Sequence, residues 1–148
     1  MKNLIIVLFF AMYSSILSAQ CGKELRLEAE KELDDNALII DEFKVHLNRL
    51  DSSGMAPIAH YPMDFEKNKT YQFAIAWDDT IYKSRAILQL VHNGALKGSN
   101  HQAVKDKMFH SFSFFCPLKS QGEILVYFEN SYGGCATVLV SEIIKKED

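Results

Sequence analysis

The side chains in this sequence with chemistry to offer are five histidines, His46, His60, His92, His101 and His110, an adjacent acid pair, Asp78-Asp79, and three cysteines, Cys21, Cys116 and Cys135. A zinc centre wants close pairs of His or Cys, and no His-x-x-x-His or paired-Cys spacing occurs. His46, His92 and His110 fall at polar-face or strand-end positions, so the histidines read as solvent-exposed strand residues and no metal is expected. Ser52, Ser53, Ser99 and Ser113 lack the Gly-x-Ser-x-Gly elbow of an activated nucleophile. A small hydrolase would need His92 or His101 brought to a Ser and an Asp in a cleft. The residues therefore point to a non-enzyme without a cofactor. Asp78-Asp79 lacks the alternating carboxylates that wrap Ca²⁺ and reads as a solvated turn. Asn68-Lys69-Thr70 matches a glycosylation sequon and serves equally as a turn.

Aromatic residues carry a binding signal. Tyr61, Tyr82 and Tyr132 are expected in loops and Trp77 at a strand end, and Trp77, Tyr82 and Tyr132 form a weak candidate set for stacking a sugar ring or a peptide. A carbohydrate-binding module is thus the alternative to a protein-binding or envelope-accessory domain. Of the cysteines, Cys116 and Cys135 are the simplest disulfide pair. In a meander, however, they would sit at opposite ends of a strand roughly 20 Å long, which leaves a pairing with Cys21 open.

The elements that position these residues begin with an export signal. Lys2, an apolar run from Leu4 to Met12 and a more polar stretch ending at Ala19 have the three-zone layout of a signal peptide, with cleavage between Ala19 and Gln20. Nine apolar residues fall short of the roughly 20 that span a bilayer, so no transmembrane segment is expected. Lipidation at Cys21 remains a minority alternative, because Gln20 is larger than a lipoprotein site prefers. The domain is then 20–148, in a periplasmic or extracellular location. With Lys2 removed, the basic residues fall from 16 to 15 against 19 acidic ones, a net charge of −4 that disfavours nucleic acid and anionic lipid.

Leu25, Ala29 and Leu33 recur every fourth position among charged residues, which predicts a short amphipathic helix over 23–33. The period then changes to two. Phe43, Val45 and Leu47 alternate with polar residues; 58–65 is a weaker strand; Tyr71, Phe73, Ile75 and Trp77 share one face; Ala86 to Val91 is another strand, closed by the hairpin signal Asn93-Gly94. Residues 96–107 are polar and irregular, and read as a short strand and an exposed loop. Phe112, Phe114 and Cys116 share a face, as do Ile124, Val126 and Phe128, and a last strand runs from Ala136 to Ile144. About eight strands behind one short helix read as an all-β, antiparallel β-sandwich.

The segments Asp41-Glu42-Phe43-Lys44-Val45, Asn68-Lys69-Thr70-Tyr71-Gln72-Phe73, Ala86-Ile87-Leu88-Gln89-Leu90, Phe112-Ser113-Phe114-Phe115-Cys116-Pro117 and Gly133-Gly134-Cys135-Ala136 carry a resemblance. In their order the chain resembles a group of uncharacterised secreted Bacteroidota proteins whose domain is similar to the pre-peptidase C-terminal jelly roll. The resemblance implies a jelly-roll sandwich outside the cytoplasm, no catalytic residues, and a role as a binding or accessory module. The partner expected is a protein or envelope component, or else a glycan.

Overall fold

Alternating apolar residues in the second half of the chain leave little choice but to stack two sheets, and the computed structural model shows that arrangement. It describes residues 22–48, 54, 56–80, 83–129 and 133–145. Helix α1 (Lys23–Lys31) precedes β1 (Ala37–Leu47), β2 (Ala59–Phe65), β3 (Lys69–Asp78), β4 (Ala86–His92) and β5 (Ala95–Ser99). A two-residue ribbon, β6 (His101–Gln102) and β7 (Lys107–Met108), flanks a 3-10 turn, and β8 (Ser111–Cys116), β9 (Ser120–Phe128) and β10 (Gly134–Ile143) follow. One sheet has the order β1-β10-β3-β8 and the other β2-β9-β4-β5. The all-β sandwich reading is correct, with ten strands among the described residues in place of about eight, because 95–108 contributes three short strands where one was expected.

The inner faces meet as the period of two requires. Tyr71, Phe73 and Ile75 of β3 with Val138 and Val140 of β10 pack on Leu88 and Leu90 of β4 and Ile124, Val126 and Phe128 of β9. Phe65, fully buried, lies edge-on to the rings of Tyr71, Phe73, Phe114 and His92 at centroid distances of 5.0 to 6.4 Å. The Asn93-Gly94 turn between β4 and β5 has positive φ at both residues (52° and 70°), the geometry of a tight hairpin.

On the outer face of the first sheet, Ala74 and Ala76 leave room for α1, whose Leu25 and Ala29 settle on them together with Leu139 and Cys135. This is why the helix stripe is only two residues deep. Gln72 holds the far end of the helix, accepting from the Asp34 amide at 2.9 Å and donating to the Glu32 carbonyl at 3.3 Å. Arg26 ties α1 to β1 through Glu42 at 3.0 Å.

Three expectations are corrected. Cys116 is a buried free thiol, and no disulfide joins it to Cys135. Cys116 lies opposite Lys69 and Cys135 opposite Asp78, nine residues apart along β3, or about 30 Å, far beyond disulfide reach. Tyr61 belongs to strand β2 rather than a loop, and stacks on Phe43 at 4.3 Å to bridge the two sheets. His92 is buried, not exposed, because its strand turns it inward beside Phe65 and Phe114. Tyr82, Tyr132, Cys21 and the export signal lie outside the described residues.

Candidate functional site

A cleft of about 290 Å³ opens between the first turns of α1 and the end of β3, lined by Glu24, Leu25, Glu28, Trp77, Asp78, Asp79 and Thr80. Its geometry follows from two local rules. Glu24 and Glu28 are one helical turn apart and share the face beside the buried Leu25 stripe, while Asp78-Asp79 ends the aromatic strand where the sheet runs out. Asp78 is held by accepting the Thr80 amide at 2.8 Å. Among the described residues, none of these four carboxylates is ion-paired, although the acids of this chain elsewhere recruit Arg26, Lys69, Arg85 and Lys119. The cleft thus presents unneutralised negative charge at a concave, half-open surface, which suits a Lys or Arg side chain more than a neutral or anionic ligand.

The predicted binding aromatic Trp77 sits at this end of the sandwich. Its register partner is the inward-facing Ala136, and one face of the indole is taken by His110, stacked at 4.8 Å and 9°. A sugar would have at most the opposite face. Asp78 and Asp79 were readable as a turn; the sequence gives no sign that Glu24 and Glu28 approach them, since some fifty residues separate the pairs and only helix docking joins them.

Two further clusters involve the histidines. His92 Nε2 lies 2.5 Å from Ser120 Oγ, and Ser120 in turn contacts Cys116 Sγ at 3.4 Å, while both Ser120 and Cys116 reach the Leu118 carbonyl. The third member is a thiol where a triad needs a carboxylate, and Cys116 is fully buried, so this group packs the end of the core. His101, Asp106 and Glu129 bring a ring nitrogen and carboxylate oxygens within 4.8 Å of one another. Arg85 stands among them: its guanidinium grips Glu129 at 2.5 and 2.7 Å and donates to Asp106 at 2.7 Å, providing the positive charge that a metal ion would.

Hydrogen bonding from Arg85, then from His101, holds the Asp106 carboxyl below its usual range. Its folded value lies below its unfolded one, so the stabilisation is present above the unfolded carboxylate range and lost as pH falls through the folded value. The melting-temperature difference between wild type and Asp106→Asn is therefore expected at pH 7, modest because Asp106 is exposed, and to shrink below about pH 4. Thermal melts at several pH values check this; a difference that is the same at pH 7 and pH 3 would rule the ion pair out as its source.

No protein-family model matches the chain, and no curated protein does. The fold is nevertheless shared. The crystal structure of Aeromonas hydrophila PliG, a periplasmic lysozyme inhibitor of g-type lysozyme, superposes with a TM-score of 0.50 at 16% identity, over 74% of this chain and 90% of that one. At that identity the likeness establishes the sandwich architecture. No helix among the described residues is long and apolar enough to cross a membrane.

Proposed function

We propose that the protein is a non-catalytic, extracytoplasmic binding module that captures a cationic protein by taking a Lys or Arg side chain into the cleft between α1 and β3. The observation that carries this reading is the set of four carboxylates, Glu24, Glu28, Asp78 and Asp79, converging on one cleft without an internal cation among the described residues. Three further features support it: the export-signal layout, the acidic balance of the chain, and the likeness to a periplasmic protein that inhibits g-type lysozyme. That likeness makes a lysozyme-type cell-wall hydrolase the first partner to try.

Immobilised g-type lysozyme is the probe. The wild-type protein is expected to bind it with an affinity that falls steeply with salt. Replacing the four acids together (Glu24→Gln, Glu28→Gln, Asp78→Asn, Asp79→Asn) is expected to weaken binding at least about tenfold, or ~1.4 kcal/mol, and to flatten the salt dependence. Binding that survives the fourfold variant with unchanged salt dependence would place the partner elsewhere on the molecule. No binding at all would exclude this lysozyme as the partner.

A further inference from the structure

The four edges of the two four-stranded sheets are not protected alike. β1 carries a bulge after Ile39 and the charges Asp41, Glu42 and Lys44; β2 contains Pro62 and Asp64; β5 is five residues long, with Lys97 as an extra residue in its pairing. These are the usual devices that keep an edge from pairing with another chain. β8, Ser-Phe-Ser-Phe-Phe-Cys, has none of them: no charge, no Pro, no Gly, and an unbroken register against β3.

The Ile75 amide donates to the His110 carbonyl at 2.8 Å. The alternation of an antiparallel pair then aims the backbone of Phe112, Phe114 and Cys116 at β3, and turns the N–H and C=O groups of Ser111, Ser113 and Phe115 to the free side. β8 is the last strand of its sheet, and no other strand among the described residues is hydrogen-bonded to that side. Phe115 is 52% exposed beside it.

We infer that β8 pairs with β8 of a second copy of this chain, antiparallel about a two-fold axis through Ser113. The choice of occupant rests on self-complementarity. The three free residues are symmetric about Ser113, so Ser111 of each copy meets Phe115 of the other and each free N–H finds a carbonyl. About this axis each residue meets the one equally far on the other side of Ser113, and because β8 carries no charge at any position the pair sets no like charges opposite each other. Pairing also covers each Phe115 with the neighbouring strand. The joined sheet keeps both α1 helices, and hence both acidic clefts, on one side of the dimer.

Sedimentation equilibrium over a hundredfold concentration range tests this. The wild-type protein is expected to pass from monomer to dimer. Ser113→Pro deletes an N–H on the free side while sparing the bonds to β3, and Ser113→Lys faces two ammonium groups across the axis; each is expected to weaken dimerisation by about tenfold or more. Ser113→Thr, with no such defect, is expected to dimerise like wild type. Circular dichroism reports whether each variant is folded. Should Ser113→Pro fail to fold, Ser113→Lys decides, because its side chain is on the exposed face. A monomer at every concentration, or a dimer indifferent to the folded variants, overturns the inference.

Discussion

Phe65→Ala is expected to be the most damaging single substitution in the molecule, lowering stability by about 4 kcal/mol and the melting temperature by about 15 °C. Phe65 ends β2 and is fully buried where the two sheets meet. Four rings, those of Tyr71, Phe73, Phe114 and His92, are arranged around it, mostly edge-on, so its removal takes away both a large buried area and the contacts that orient its neighbours. The cavity cannot close cheaply. One wall is the β9 backbone at Gly122, against which the Phe65 ring already packs so closely that a Cβ built there would lie 2.6 Å from it. Phe65→Leu keeps much of the volume and is expected to cost less than half as much. Urea unfolding monitored by circular dichroism measures both; an alanine variant within about 1 kcal/mol of wild type would show that the ring cluster is not the keystone its geometry indicates.

The second large effect belongs to a polar residue. Asn100 is fully buried, and its side chain continues the β4–β5 pairing beyond the end of β5. Its Oδ1 accepts the Leu88 amide at 2.8 Å and its Nδ2 donates to the Ala86 carbonyl at 3.1 Å, while its own amide donates to the Leu88 carbonyl at 3.1 Å. The Phe109 amide then donates to the Asn100 carbonyl at 2.7 Å, so the same residue fixes the point at which the chain crosses from one sheet to the other. Asn100→Ala strands a buried donor and a buried acceptor on β4. At about 1 to 3 kcal/mol for each unsatisfied group, the expected loss is about 3 kcal/mol. The urea midpoint should fall without a change in m value, since the native and unfolded states keep their exposed areas. A loss below about 0.5 kcal/mol would mean that water or a backbone shift satisfies Leu88 and Ala86 in the variant.

The two effects differ in how readily the sequence discloses them. Phe65 stands at the end of a segment with only a weak strand pattern, because Pro62 and Asp64 interrupt it, as befits an edge strand. Its alternation with Tyr61 and Met63 nonetheless puts it on the inner face. Asn100 falls in the polar stretch 96–107, where a buried asparagine has no periodicity to betray it. The same holds for the acidic cleft. Asp78-Asp79 is visible as the end of an aromatic strand, and Glu24 and Glu28 are visible as a charged helix face, but neither pattern says that the helix docks beside that strand end.

What the residues determined by themselves was local. The change from a period of four to a period of two marks the helix and the strands, and side-chain alternation assigns Tyr71, Phe73 and Ile75, and likewise Ile124, Val126 and Phe128, to buried faces. Asn68 and Asn93-Gly94 mark turns through their tolerance of positive φ. Each is a property of a few adjacent residues, governed by backbone sterics and the burial of one face, and so is readable from a short window. Tertiary structure alone decided that β10 inserts between β1 and β3, which sets Cys116 and Cys135 at opposite ends of β3 and rules out a disulfide between the two. It also decided that His92 turns inward onto Ser120, that Arg85 pairs with both Asp106 and Glu129, and that β8 is left as an unguarded edge. Strand order and sheet edges depend on pairing between segments as far apart as Ala37 and Ile143, where many arrangements bury the same alternating faces. Only the simultaneous packing of all of them selects one.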